Sequence, residues 1–154
     1  MDNAFCFARF KGKKQGDFKG ESQRENFDGW VECLSFSHSM SVSIQRFGSD
    51  RQVSPPTVNE LVITKFFGEA SVQINQALAT RELLEKVELT CVRSTPEGQD
   101  EQWYQITLKE AMVTSVNYAN SGDQRVVETV SLGFRSIAWA FMTDSLETDF
   151  SWKE

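Results

Sequence analysis

The chain has 154 residues, about the length of one domain, and its content of 40% hydrophobic and 12% aromatic residues is typical of a globular protein rather than a disordered one. Its formal net charge of -6, with no long lysine and arginine run, disfavours nucleic-acid binding because acidic surfaces repel phosphate. No apolar run has membrane-span length, and residues 1–4 lack the features of a secretory signal peptide, so we expect no membrane partner and no signal-dependent export.

The chain begins with an aromatic-rich segment, residues 3–10, that predicts the first strand. A glycine and lysine turn follows at residues 11–16, and residues 17–22 form a short extended piece. The three cysteines, Cys6, Cys33 and Cys91, form no Cys-x-x-Cys motif and lie beside apolar residues. We therefore expect reduced, packed thiols in a reducing cytoplasm.

Residues 34–44 read Leu-Ser-Phe-Ser-His-Ser-Met-Ser-Val-Ser-Ile, with serine at every odd position from 35 to 43. Because strand side chains alternate between two faces, this pattern predicts one half-buried antiparallel strand with a wet serine face. A second interpretation is that the serine face contacts other proteins without binding them tightly, since short hydroxyl side chains carry no charge and little rotamer entropy. The side chains expected in the core are Leu34, Phe36, Met40, Val42 and Ile44.

Residues 46–57 form the longest stretch without periodicity, and they include the paired prolines Pro55 and Pro56. Proline fixes an extended backbone and cannot donate to a β-ladder, so no central strand is expected here. The segment is either a disordered excursion or an arm that docks on a neighbouring subunit.

Residues 58–67 regain strand character, and residues 69–84 give the one convincing helix. Ser71 is its candidate N-cap, although no glutamate or glutamine follows at the third position to complete a capping box. The helix face expected to be buried carries Ala70, Ile74, Ala77, Leu78 and Arg81.

A hairpin is predicted from residues 86–93 and 102–116, which are separated by a turn signal at residues 95–100. The first of these strands is expected to turn Glu88 and Thr90 outward.

The last long strand is predicted at residues 125–141, where the apolar positions change from even to odd near residues 135–136. A bulge, or a crossing from one sheet to another, would produce that change. Residues 142–154 are predicted to be a short acidic tail. Together the elements indicate one mainly β domain over residues 1–154. To hide the edges of so many strands, the sheet must close into a barrel or pack as a sandwich.

The sequence carries little that indicates catalysis. His38 is the one histidine, and on the apolar side of its strand a core or interface role is the usual interpretation. No phosphate-binding loop, dinucleotide fingerprint or nucleophile elbow occurs, and zinc ligands are scarce. The glutamates are spread over several strands, where solvation or cross-strand pairing is expected. We predict no enzyme, no cofactor and no metal.

Four segments nevertheless match one known pattern in order and spacing. They are residues 16–22 (Gly-Asp-Phe-Lys-Gly-Glu-Ser), 31–41, 58–65 followed by Ala70 and Ser71, and 104–115 with 127–134. On these segments the chain resembles the Hcp family, the haemolysin-coregulated tube proteins of type VI secretion systems, from about Phe5 to Phe141. It departs from the family pattern at His38 and Ser39, where the family has tryptophan and glycine, and at the helix positions Val72 and Arg81.

The resemblance implies a small antiparallel β-barrel of two sheets with one flanking α-helix. It also implies a homo-hexameric ring, ring stacking into a tube inside a contractile sheath, and carriage of a spike protein and effector proteins. The protein would be made in the bacterial cytoplasm and secreted by the type VI system without a signal peptide. Only 13 residues follow Phe141 in this sequence, so we expect no fused toxin domain.

The resemblance also yields expectations for two groups of residues. The lumen-facing residues are expected to be Ser35, Ser37, Ser39 and Ser115. The subunit-interface loop is expected to use Arg46, Phe47, Asp50, Arg51, Val53, Pro55 and Pro56.

Three other interpretations stay open at this point. A tail-tube protein of a phage or another contractile injection particle would share the fold. A monomeric β-sandwich ligand-binding module would use an aromatic platform, and an acid-pair hydrolase would use two glutamates.

Overall fold

The computed structural model describes residues 5–152, apart from the side chain of Phe47. Within that range there are thirteen strands, one α-helix and one short 3₁₀ helix. The strands are β1 (Cys6–Gly12), β2 (Gly16–Asp17), β3 (Val31–Cys33), β4 (Ser35–Ser37), β5 (Met40–Ser41), β6 (Ile44–Phe47), β7 (Asp50–Val53), β8 (Thr57–Val58), β9 (Leu61–Phe66), β10 (Leu84–Ser94), β11 (Asp100–Ala119), β12 (Val127–Phe141) and β13 (Leu146–Ser151); the helix is α1 (Glu69–Thr80) and the 3₁₀ helix is Met142–Asp144.

Nine of these strands form one antiparallel sheet in the order β2-β1-β10-β11-β12-β9-β4, with β3 beside β1 and β13 beside β12. Because β3 and β4 are consecutive in the chain, one short segment pairs with β1 at one end of this path and with β9 at the other. The expected mainly β, antiparallel architecture with a single helix is confirmed. No helix among residues 5–152 combines the length and apolar composition that crossing a membrane requires.

The main core lies between the bent sheet and α1. Ala8 and Phe10 of β1 face it, and Phe7 on the other side of β1 packs in a second cluster with Phe27 and Val92. This alternation is the period of two expected for a strand that has both faces covered. The helix contributes the buried residues Ala70, Ser71, Ile74 and Ala77, which confirms most of the expected inner face of α1; Arg81, also expected there, is exposed, so that part of the prediction is wrong.

The helix ends earlier than its periodicity predicted. It stops at Thr80, and Arg81 adopts a left-handed conformation with φ 54° that turns the chain toward β10. Ser71 is the third helical residue rather than the N-cap, which is Gly68. The Ser71 hydroxyl accepts a hydrogen bond from the Gly68 backbone N–H at 3.0 Å, so it still satisfies the helix start.

The change of parity in the last long strand is confirmed. On β12 the inward side passes from Leu132 to Ile137, and on the paired β11 it passes from Leu108 to Ala111. Glu110, between those β11 residues, has φ 48°. The first half of β12 pairs with β9 and the second half with β13, so both long strands bend together as they cross from one part of the sheet to another.

One expectation along these strands is wrong, and another segment proves to be more ordered than its composition indicated. Thr90 is buried rather than outward, and its hydroxyl accepts a hydrogen bond from Gln105 Nε2 at 3.0 Å. The segment predicted as an acidic tail contains β13, which pairs with β12 from Ser136 to Phe141. Its acidic side chains obscured the alternation because a strand at the edge of a sheet is exposed on most sides.

The prediction of one continuous strand over residues 34–44 is also wrong. The segment divides into β4, β5 and the start of β6, which belong to three different sheets. Phe36 alone among its five apolar residues packs against the core, where it stacks on Tyr104 with ring centroids 5.8 Å apart. Periodicity fixes which side chains share a face but not what covers that face, and here the remaining four are at least half exposed: Leu34, Met40, Val42 and Ile44.

Candidate functional site

The serine face of β4 continues across three more strands. Ser37 lies opposite Val62 on β9, Val62 opposite Ser131 on β12, and Ser131 opposite Ser115 on β11. Directly paired residues of neighbouring strands point to the same side of a sheet. Two expected lumen residues that are 78 positions apart in the sequence, Ser37 and Ser115, therefore lie on one face.

A second row runs parallel to the first. Ser35 lies opposite Thr64, Thr64 opposite Thr129, and Thr129 opposite Asn117. We call the combined set the hydroxyl surface; it consists of Ser35, Ser37, Thr64, Ser115, Thr129 and Ser131. Its serines on β4 and β11 are exposed, and the three central residues on β9 and β12 are partly buried.

Sequence reasoning missed Thr64, Thr129 and Ser131. Each lies on the outward side of its own strand, so the alternation in β9 and β12 was the available signal. What the sequence lacked was the order of the strands, which alone brings these hydroxyl groups beside the serines of β4.

Ser39 lies beyond the end of β4 rather than within the two rows. Its hydroxyl accepts a hydrogen bond from Asn59 Nδ2 at 2.7 Å, and its carbonyl accepts one from the Asn59 backbone N–H at 2.9 Å. A shallow groove of about 440 Å³ opens here at the margin of the hydroxyl surface. Its lining residues are Ser37, His38, Ser39, Val58, Asn59, Glu60 and Val62.

His38 is a packed side chain, as expected. Its ring lies 6.2 Å from that of Phe134 and 6.0 Å from that of Trp139, between ring centroids. Burial lowers the pKa of His38 below its ordinary value, and a hydrogen bond with the Asn59 backbone partly opposes this shift. This shift favours the neutral form of the ring. No group of three potential metal ligands occurs in the part of the chain that the structure describes.

The stretch predicted to be an unpatterned loop is a β-hairpin, which we call the arm (residues 40–58). The pair β5 and β8 forms its base, and β6 and β7 form its tip, where Gly48 takes φ 64° in the turn. Periodicity was hidden because both faces of a hairpin that leaves the core are solvent-exposed. The arm would reach about 25 Å if extended throughout.

Six of the seven expected interface residues on the arm are exposed, and the side chain of the seventh lies outside the described residues. Arg46 pairs with Arg51, and Ile44 with Val53, so these four side chains share one face of the hairpin. Gln45 and Gln52 occupy the opposite face. The exposed residues are Arg46, Asp50, Arg51 and Val53 in the ladder, with Pro55 and Pro56 following; the Phe47 side chain lies outside the described residues.

The strands β11, β12 and β13 form an apolar groove of about 400 Å³, which we call the aromatic groove. Arg93 lies over the ring of Trp103, with its guanidinium carbon 4.9 Å from the ring centroid. The sequence analysis raised an aromatic platform only for the alternative of a ligand-binding module, and it did not indicate this groove. Its lining residues are Trp103, Tyr104, Trp139, Ala140, Phe141, Leu146, Glu147 and Thr148.

Comparisons with known proteins agree with this geometry. The model of the family described as "Type VI secretion system effector, Hcp" matches residues 7–141. The chain is 26% identical to "Major exported protein" of Pseudomonas aeruginosa, over 96% of this chain and 95% of the relative. It is 30% identical to "Protein hcp1" of the same species, over 80% of this chain and 77% of the relative. The solved Hcp1 protein of E. coli EAEC 042 superposes with a TM-score of 0.87 at 18% identity, covering 97% of this chain and 99% of that one.

Proposed function

The chain belongs to the Hcp family of type VI secretion systems, and from that premise we propose that it is a structural protein of the inner tube and not an enzyme. Six copies form a ring, and rings stack into a tube within the contractile sheath. The tube carries the spike protein and effector proteins. The protein is made in the bacterial cytoplasm and leaves through the tube's own discharge; the name of its relative, "Major exported protein", supports this route.

The observation that carries the proposal is the exposed apolar side of the arm. Ile44 and Val53 face each other across the hairpin, and both are more than half exposed. The strands of the arm tip pair with each other and with no other strand among residues 5–152. An exposed pair of apolar side chains on a projecting element favours a protein contact, because exposing the pair to water is unfavourable.

The aromatic groove of a second copy is the occupant that we propose for this side of the arm. The groove is concave and almost entirely apolar, so it complements Ile44 and Val53. Glu147 lines it and Asp149 follows on the same edge strand, and these carboxylates complement Arg46 and Arg51 at the arm tip. Because arm and groove are different surfaces of one chain, the contact is heterologous, and its repetition closes a ring when the rotation permits.

The hydroxyl surface is proposed to line the bore. Its six side chains are short and uncharged, and they lie side by side over four strands. Such a wall offers hydrogen bonds to many cargo proteins but no deep apolar pocket that would retain one. Ser39 and the groove beside it then form the rim of this wall.

Purified full-length protein tests the proposal directly. We expect light scattering to give a mass about six times the 17.5 kDa of one chain, and electron microscopy to show annuli. A monomer under every condition that lets relatives form rings overturns the proposal and favours a ligand-binding module. Annuli that bind a phage-type spike but no type VI spike protein favour the alternative, a tail-tube protein of another contractile particle.

A further inference from the structure

The three cysteines form one row across the sheet. Cys6 on β1 lies directly opposite Cys91 on β10, and on its other side directly opposite Cys33 on β3. Paired residues of neighbouring strands point to the same side, so all three thiols share a face. Cys6 has the parity of Ala8 and Phe10, which places the row at the edge of the main core.

Two of the three thiols touch. Cys6 Sγ lies 3.3 Å from Cys91 Sγ. Directly opposite residues of antiparallel strands have Cα atoms about 4.5–5.5 Å apart, within the range of about 4.4–6.8 Å that disulfides span. From this geometry we propose that Cys6 and Cys91 are an oxidation site, at which a small disulfide oxidant such as oxidised glutathione forms an intrachain cross-strand disulfide.

The two thiols are chemically unequal, which sets the order of the steps. Hydrogen bonding with Cys91 lowers the pKa of Cys6, against the opposing effect of burial, and Cys6 is partly exposed. The same hydrogen bond, with burial added, raises the pKa of Cys91. Cys6 is therefore the thiolate that an oxidant in solution meets first.

The reaction balances as two thiol–disulfide exchanges. The Cys6 thiolate attacks one sulfur of oxidised glutathione, which forms a mixed disulfide and releases one glutathione thiolate. Cys91 then loses its proton and attacks the Cys6 sulfur, which forms the Cys6–Cys91 bond and releases the second glutathione. The two protons of the cysteine thiols end on the two released glutathione molecules, and the pair of cysteines is oxidised by two electrons.

Cys33 is the internal competitor and is poorly suited to the reaction. It is buried, and its Sγ is directed to the Val31 carbonyl at 3.7 Å. Burial, with the nearby Cys6 charge adding to it, raises the pKa of Cys33 above its ordinary range. A buried, protonated thiol is a weak nucleophile, so Cys33 is expected to remain free.

The disulfide would join β1, near the start of the described chain, to β10 beyond the helix. It would close a loop of roughly 85 residues, and cross-links that close long loops restrict the unfolded chain most. In a reducing cytoplasm the pair stays as thiols. The chemistry of this disulfide does not depend on the proposed function, but its biological setting does. A secreted tube protein passes from a reducing to an oxidising environment, and the disulfide would stabilise it there.

The test uses full-length protein, first reduced completely and then exposed to oxidised glutathione. Free thiols are counted after denaturation, cross-linked peptides are mapped by mass spectrometry, and the thermal midpoint is measured. We expect three thiols to fall to one, a Cys6–Cys91 linked peptide, and a midpoint higher by about 10 °C. Reduction should reverse all three changes.

Two variants complete the test. Cys33→Ser is expected to form the disulfide as the parent does, and Cys6→Ser to keep both remaining thiols; because Cys6 is partly exposed, this second variant is expected to fold, which circular dichroism checks. Three thiols that survive oxidation, a Cys6–Cys33 link, or glutathione adducts without a cross-link would each overturn the inference. None of these readouts requires ring assembly, so failure here is distinguishable from failure of the tube proposal.

Discussion

Lys65 and Glu128 form an ion pair that is completely buried, with Lys65 Nζ 2.7 Å from Glu128 Oε1. The two residues lie opposite each other on β9 and β12. Ser71 of α1 joins them, because its hydroxyl donates to the same carboxylate oxygen at 2.7 Å and accepts from Nζ at 2.9 Å. The pair thus fixes the start of the helix to the sheet that bears the hydroxyl surface on its other face.

The first prediction concerns this pair. Glu128→Gln leaves a buried ammonium without its counter-charge, so we expect a loss of about 3–5 kcal/mol in the free energy of unfolding. The double variant Lys65→Met/Glu128→Leu removes both charges and should recover most of that loss. Urea denaturation measures the free energy of unfolding of both variants.

As a control, Glu101→Gln removes one partner of the exposed pair with Arg93 and should change stability by less than about 1 kcal/mol. Equal losses for the two single variants would contradict the assignment.

The second prediction concerns Gly20, in the Lys-Gly-Glu-Ser segment. A Cβ atom at this position would lie 2.1 Å from the backbone carbonyl carbon and oxygen of Trp30, and backbone atoms cannot move aside cheaply. The Gly20 N–H donates to the Gly29 carbonyl at 2.9 Å, so displacement would also strain this contact. We expect Gly20→Ala to destabilise the fold by about 3 kcal/mol or more, as other forced overpacking does.

A matched glycine provides the control for this measurement. At Gly68 the added Cβ would meet its nearest atom, Glu21 Oε2, at 3.8 Å, which is ordinary contact. Gly68→Ala should therefore cost about 1 kcal/mol or less in thermal or urea unfolding. If both variants have the same stability, steric exclusion at Gly20 is not the reason for glycine there.

The third prediction concerns pH. Burial would raise the pKa of Glu82, but hydrogen bonds from the backbone N–H groups of Gln15 (2.8 Å) and Lys14 (2.9 Å), and from the Gln15 side chain, lower it below its ordinary value. Because the folded pKa is depressed, the carboxylate stabilises the fold above the unfolded glutamate pKa of about 4.3, and this contribution is lost as the pH falls through the folded pKa. Urea unfolding of the parent and of Glu82→Gln should differ at about pH 7 and converge at about pH 3. A constant difference would show that ionisation of Glu82 is irrelevant.

The fourth prediction separates the two faces of the arm. Ile44→Asp places a charge on the side proposed to enter the aromatic groove, and light scattering should show a mass near that of one chain. Gln45→Asp adds the same charge one residue away on the opposite face, and rings should persist. The circular dichroism of both should match the parent, since both substitutions lie on β6 at the arm tip, which contributes no residue to the described core clusters. Dissociation by Gln45→Asp alone would place the contact on the other face.

The fifth prediction concerns the bore. Ser37→Arg adds a long cation to the hydroxyl surface at a position on β4 that pairs with Val62 on β9 and with no strand of the arm. Rings should still form, and co-purification of effector proteins with them should fall. Ser121→Arg, in the exposed turn before β12, is the matched serine control and should leave cargo unaffected. If Ser37→Arg leaves the recovery of effector proteins unchanged, the assignment of this face to the lumen is contradicted.

Features set by neighbours in the chain were predictable from the sequence. The inward face of α1, the turn between β10 and β11, and the change of parity near residue 135 all follow from local spacing, because backbone geometry imposes periods of 3.6 and 2 on any chain. The Gly-Asp-Phe-Lys-Gly-Glu-Ser segment indicated the family because it is a short local motif. The structure gives the reason for one of its glycines: a side chain at Gly20 would collide with the backbone of Trp30.

Other features required the tertiary structure. Alternation over residues 34–44 correctly separated serines from apolar residues, yet it could not show that Met40, Val42 and Ile44 have no layer beneath them. The hydroxyl surface joins residues from four strands, and the thiol contact joins residues 85 positions apart in the sequence. Local periodicity orients a side chain relative to its own strand; long-range strand pairing decides which side chains become its neighbours, and the free energy of that pairing is spread over the whole sheet.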